Sequence, residues 1–273
     1  MAVGPGTKQT VSDPRIIGIV LARNEDLFVA RAVRNAAGFC DEWILCDHGS
    51  TDRTAAVFSE LASEFSNARV HQISHPRESH DLLKPFCGTS TWVFGVDGDE
   101  IYDPAGLRRL RERILSGEFA NHWMLLGNVL HVTALAEDRT TATGHLSPPC
   151  RSMTKLYNFA AIESWEGNCV ERLHGGTPVF REGFSANLRR NLHEEMDWDA
   201  SDFRCLHLCF LPRSSRKDCR GARLNIMETH GASRLRRWMN AVRARCGFRS
   251  STSWKEQKYM RGPEVTVDAR PFF

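Results

Sequence analysis

The chain has 273 residues, 41% of them apolar and 25% charged, enough for one full hydrophobic core and an appended subdomain in a soluble, globular protein. No uncharged apolar run approaches the roughly 20 residues of a membrane-spanning helix, and residues 1–14 hold no apolar signal core, so the expected location is the cytosol. The net charge of +3 is uneven: from Arg213 onward there are 15 Lys plus Arg against 5 Asp plus Glu, which leaves that tail at +10 and the rest at −7.

Residues 16–22 form an apolar, β-branched run that ends at Arg23-Asn24-Glu25, and Phe28, Ala32, Val33 and Ala36 then recur at helical spacing. That is a strand followed by a helix. Residues 42–46 make a second strand closing at Asp47, and His48-Gly49-Ser50-Thr51-Asp52 supplies a turn glycine and several helix caps before a stripe of Val57, Phe58, Leu61 and Phe65. A weaker third strand spans 69–73, and Pro85 interrupts the helix expected around 79–86. The fourth strand spans 92–96. Asp103-Pro104 then opens a helix with Leu107, Leu110 and Ile114 on its buried stripe and Gly117 at its end. Beyond it the alternation decays into a strand at 122–132, a polar loop at 140–149, a strand at 155–159 and a basic amphipathic helix at 233–246. Residues 250–273 show no clear period, and no internal repeat is present.

Strands alternating with helices imply an α/β fold with right-handed crossovers and a mostly parallel sheet covered by helices on both faces. Ligands of such sheets bind at the carboxyl ends of the strands. Asn24, Asp47 and Asp97 each stand at such an end, so three polar clusters distant in sequence should meet on one edge.

Asp97-Gly98-Asp99-Glu100 crowds several carboxylates at the end of the fourth strand, a hard-ligand set suited to Mg2+ or Mn2+. Position carries this inference, because the same Asp-x-Asp pattern recurs at Asp197-Trp198-Asp199 with no strand before it. Nine cysteines stand at 40, 46, 87, 150, 169, 205, 209, 219 and 246 without a Cys-x-x-Cys, the pattern of reduced, packed thiols. The basic tail suits anionic lipid, nucleic acid or a phosphorylated partner, or is a solvated helical face. His71, His75 and His80 lack a ligand spacing, and Arg77 and Lys84 read as solvated loop residues within reach of a phosphate or base.

Three segments in order, IVLARNED, WILCDHGSTDRT and WVFGVDGDE, resemble the first half of family 2 glycosyltransferases. The resemblance runs on more loosely through SWEGNCVE and Cys205-Leu206-His207-Leu208, covering about 15–212 and leaving 1–14 as a flexible start and 213–273 as a basic, partly helical extension. It implies a GT-A fold, a Rossmann-like mostly parallel sheet that binds a nucleoside diphosphate sugar. It further implies that Ala22, Arg23, Asn24 and Glu25 border the nucleotide with Gly49 and Gly98. Asp47 accepts a hydrogen bond from the base, or else caps the Gly49 turn, and His48 stands where relatives often carry a second Asp. Asp97 and Asp99 hold Mn2+ or Mg2+, with Asp97 also near the sugar, and His207 either completes the metal site or is a core histidine. Glu166 and Glu171 are the alternative catalytic bases. Trp165 offers Glu166 an apolar wall that would raise its pKa, while Glu171 matches the later Glu of the pattern. Glu100 either supports the metal ligands from behind or, the favoured reading, is the acidic start of the next turn, and Asp197 and Asp199 are outsiders that an acceptor loop could bring in. The expected acceptor is a hydroxyl of a glycan, lipid-linked glycan, protein or natural product. Contact with the inner face of a membrane would come through the tail, and no nucleic-acid partner is expected. A nucleotidyltransferase or a noncatalytic nucleotide-binding protein docked by its tail are the alternatives.

Overall fold

The computed structural model describes residues 14–150, 153–216 and 254–273. The basic helix expected at 233–246 lies outside them, as do Cys219 and Cys246. The first half alternates as its apolar runs require: β1 (Arg15–Ala22), α1 (Val29–Ala36), β2 (Glu42–Asp47), α2 (Thr54–Glu64), β3 (Ala68–Gln72), a short α3 (Glu78–Asp81) and β4 (Thr91–Val96). A single turn of 3-10 helix at Lys84–Phe86 follows α3, because Pro85 cannot continue an α-helix. Next come β5 (Glu100–Tyr102) and α4 (Pro104–Leu115), then β6 (Met124–Leu135), β7 (Thr141–Ser147), β8 (Thr154–Asn158), β9 (Ile162–Glu171) and β10 (His174–Phe180). The last elements are β11 (Arg189–Asn191), α5 (Leu192–Glu195), β12 (Arg204–His207), α6 (Trp254–Tyr259) and β13 (Glu264–Asp268).

The main sheet runs β13-β7-β6-β8-β4-β1-β2-β3. It is parallel from β3 to β4, and antiparallel where β8 joins β4 and β6 and where β7 joins β6 and β13. Alternation along β1 feeds two cores. Ile16, Val20 and Ala22 face α1, α2 and α4, whereas Ile17, Ile19 and Leu21 face Leu83, Trp165 and the β9-β10 hairpin. This is the α/β class read from the sequence. Seven described cysteines are free, and burial pushes the Cys40, Cys46 and Cys205 thiols up. No helix among the described residues is long and apolar enough to cross a membrane.

Two expectations of structureless chain are corrected. Residues 140–149, read as a polar loop, contain β7, whose Thr and His side chains misled because they occupy the half-exposed face of a strand held between β6 and β13. Residues 250–273 contain α6 and β13, and β13 pairs along its whole length with β7, from Glu264 opposite His145 to Asp268 opposite Thr141. Phe272 beyond it is fully buried and stacks on Trp198. The buried Asn35 of α1 donates through Nδ2 to the carbonyl oxygens of Tyr102 and Phe272, both at 2.8 Å.

Asp103 couples a helix to a strand. Its Oδ1 caps α4 by accepting the amides of Ala105 and Gly106, and its Oδ2 accepts Arg204 Nη2 at 2.9 Å from β12. Both side chains are buried, with Arg204 over the rings of Trp198 and Phe272. Replacing Asp103 with Ala removes the buried carboxylate partner of Arg204 and leaves it only the exposed Asp199 at 3.6 Å, so urea unfolding should show a loss of about 3–5 kcal/mol. Asp103→Asn keeps the cap acceptor and should lose less.

Candidate functional site

Parallel pairing builds the rim. Asp47 at the end of β2 pairs with Ala22 at the end of β1, and Val96, just before Asp97, pairs with Val20. The polar ends of β1, β2 and β4 therefore share one edge, as the alternation of elements requires.

The two loops of this rim are knitted together. Asn24, at φ 57°, accepts the Thr51 amide on its Oδ1 at 2.7 Å, and its own amide donates to Ser50 Oγ at 3.0 Å. The Glu25 amide donates to Thr54 Oγ1 at 2.8 Å. Asp47 is 2% exposed and accepts the Ser50 amide, so its carboxylate holds the turn in which Gly49 takes φ +62°. Arg23 is exposed and His48 bonds the Ser74 carbonyl. Gly98 lies against Glu25, and a Cβ there would collide with the Glu25 carboxylate.

His207 reaches the same place through β12, which pairs with β5 so that His207 faces Glu100 and the Leu208 amide bonds the Asp99 carbonyl. One ligand atom each from Asp97, Asp99 and His207 lie within 4.8 Å of one another. His207 Nε2 is 3.7 Å from Asp99 Oδ1. Two carboxylates and an imidazole at this separation fit a divalent cation with hard or borderline preferences.

The carboxylates are balanced by groups that the sequence reading did not single out. Arg172, buried just after β9, places Nη2 2.5 Å from Asp97 Oδ1 and donates through Nη1 to the Val96 carbonyl at 2.9 Å. Protein packed around Asp97 works to raise its pKa, but the Arg172 charge and hydrogen bond prevail and hold it well below the usual carboxylate range. Arg213 Nη1 stands 2.7 Å from Asp99 Oδ2 and 3.3 Å from Glu25 Oε1. Glu100 has no such ion pair among the described residues. Burial first, and then the Asp97 charge, push its carboxyl up to about 8, against a hydrogen bond from Tyr102. Arg213 opens a strap that continues with Ser214 donating to Asp52 and Ser215 to Asp26.

The two candidate bases part company. Glu171 Oε1 lies 3.7 Å from the Arg172 Nη2 that holds Asp97, and 3.2 Å from His174 Nδ1. Burial alone would raise its pKa, but the His174 hydrogen bond and the Arg172 charge lower it. Glu166 is exposed on the β9-β10 hairpin and lines a separate cavity of about 350 Å³ with Arg77, His80, Lys84 and Trp165. His80 is a core histidine bonded to the Arg172 carbonyl, His75 Nδ1 accepts the Arg77 amide, and His71 lies on β3 beside Cys46. Asp197 and Asp199 are exposed, the latter 3.6 Å from Arg204 Nη1, and join neither group.

No family model and no curated protein matches the chain. Among solved structures, glucosyl-3-phosphoglycerate synthase from Mycobacterium tuberculosis in complex with Mn2+, uridine diphosphate and phosphoglyceric acid is 15% identical, over 94% of this chain and 87% of that one, with a TM-score of 0.40. The complex of that enzyme with Mn2+ and uridine-diphosphate-glucose is 18% identical, over 88% and 81%, with a TM-score of 0.38. A third complex, with Mn2+, uridine-diphosphate-glucose and phosphoglyceric acid, is 18% identical with a TM-score of 0.34. There the chain covers 58% of the neighbour's length and 55% of its own.

The depressed Asp97 pKa fixes the sign of an acid effect. A carboxyl whose folded pKa lies below its unfolded value of about 3.9 contributes stability that is complete above that value and is lost as pH falls through it towards the folded pKa. Thermal unfolding in a chelator should therefore show a gap between the wild type and Asp97→Asn that is constant above about pH 5 and closes below about pH 4. A gap independent of pH would remove Asp97 from the charge balance.

Proposed function

We propose that the chain is a metal-dependent glycosyltransferase that moves a sugar from a nucleoside diphosphate sugar to an acceptor hydroxyl, with inversion. The observation that carries this reading is the meeting of Asp97, Asp99 and His207 at the carboxyl rim of the parallel strands, beside the loops after β1 and β2. Bound by these three side chains, Mn2+ or Mg2+ supplies Lewis-acid neutralisation of charge on a departing diphosphate.

The remaining work falls to the chain's own groups. Residues 22–25 border the nucleotide, with Asn24 and Asp47 fixing the shapes of the two loops and Gly98 leaving room for Glu25. Arg172 keeps Asp97 ionised. Glu171 is the favoured base because it shares Arg172 with Asp97, whereas Glu166 turns into the cavity of Arg77 and Lys84. Its lowered pKa keeps it ionised at neutral pH, free to take the acceptor's proton on the face opposite the leaving group. A nucleotidyltransferase fits less well, since the loop after β1 is acidic and glycine-free where a triphosphate needs a glycine-rich basic cradle.

Thermal unfolding with UDP, GDP or dTDP, each with and without Mn2+, tests the reading. One nucleotide with metal should stabilise the chain by about 2.7 kcal/mol at a hundredfold excess over Kd, and neither alone should match it. Asp99→Asn should abolish the joint effect while the fold survives. With a donor identified, Glu171→Gln should lower kcat by roughly 10²–10⁴-fold, with donor affinity retained. Full activity in that variant would move the base elsewhere.

A further inference from the structure

His207 has two ring nitrogens and the structure uses both. Nε2 faces Asp99 Oδ1 at 3.7 Å, and Nδ1 lies 2.9 Å from Nδ1 of His131. The contact is built into the sheet, because β12 and β6 are parallel neighbours with His207 and His131 in direct register. His131 is fully buried. Tyr259 of α6 lies flat on its ring, with centroids 4.3 Å apart and planes at 14°, and meets the His207 ring edge-on at 5.6 Å. Tyr259 is itself anchored, since its carbonyl accepts from the Cys150 thiol at 2.9 Å.

Two imidazole nitrogens at hydrogen-bond distance carry one proton between them. A nitrogen that binds a cation must offer its lone pair, and a neutral imidazole then carries its only N–H on the other nitrogen. We infer that His131 is the positioning residue of the cation site, accepting the His207 Nδ1–H on its own Nδ1 and so keeping His207 Nε2, on the side of Asp97 and Asp99, unprotonated. This inference rests on the reading of Asp97, Asp99 and His207 as cation ligands.

Without the acceptor, nothing holds the His207 proton on Nδ1, and the negative charge of Asp99, 3.7 Å from Nε2, favours the tautomer protonated there. The cation must then displace that proton as well as bind. Partners of this kind behind a metal-bound histidine typically change affinity 10–100-fold.

The test uses the full chain and Mn2+ alone, with free Mn2+ read by electron paramagnetic resonance. His131→Phe keeps a ring for Tyr259 but has no acceptor, and should raise the Mn2+ dissociation constant about 10–100-fold. His131→Asn, whose Oδ1 can stand near the lost Nδ1, should restore most of the affinity. A measurement that needs no variant is long-range proton–nitrogen NMR of the Mg2+-loaded wild type, which should show His207 protonated at Nδ1 and His131 at Nε2. The reverse tautomers, or wild-type affinity in His131→Phe, would overturn the inference while leaving the cation site intact. Equal Mn2+ affinity in wild type and Asp99→Asn would remove the cation site and the inference together. A thiolate-to-metal absorption band on adding Co2+, lost in Cys209→Ser, would also overturn it by placing the metal among His131, His207 and Cys209.

Discussion

Repulsion among the carboxylates of Glu25, Asp97, Asp99 and Glu100 is the constraint around which the rim is organised. Two like charges about 4 Å apart cost on the order of 4 kcal/mol at an effective dielectric of 20, a large share of a domain's net stability of about 5–15 kcal/mol. The fold answers with different cations for different carboxylates. Arg172 arrives from the end of β9 to meet Asp97, and Arg213 from beyond β12 to meet Asp99 and Glu25. Glu100, with no guanidinium paired to it among the described residues, has its carboxyl pushed up by burial and by the Asp97 charge. Segments far apart in the chain are thus held together by charge.

β1, β2 and β4 were legible because they are buried on both faces and read as nearly unbroken apolar runs, with Asp47 and Asp97 marking where two of them stop, whereas the partly exposed β3 gave a weaker signal. In the later half β6 and β8 were legible at 122–132 and 155–159, but β7 and β13 were not. In β7 the signal is Thr and His on a half-exposed face, which composition alone cannot separate from a loop, and β13 forms only because β7 offers it an edge. Arg172 escaped notice for a related reason: as one basic residue beside Glu171 it carries no motif, and only the hairpin's path brings it to Asp97. The excess of acid at the rim was the available signal, since such a cluster requires a cation from somewhere. Glu166 and Glu171 were inseparable in sequence because five positions along a bulged strand decide which side of the hairpin a carboxylate meets.

The carboxyl-terminal residues belong to the site's architecture. β13 covers the exposed edge of β7, and α6 sets Tyr259 against His131 and His207. The wall behind one candidate ligand is therefore made by a segment more than fifty positions later in the chain. A basic tail that looked separable from the sheet has its far end woven into it.

The bond from Asn35 to the Phe272 carbonyl spans 237 positions. During synthesis the Asn35 amide has the Tyr102 carbonyl but lacks its second acceptor, and the Trp198 face lacks Phe272, until the last described segment emerges. Long-range closures of this kind come late and slow folding. The nascent molecule therefore holds an incomplete core until the segment around Phe272 has emerged, the interval in which a chaperone would find it.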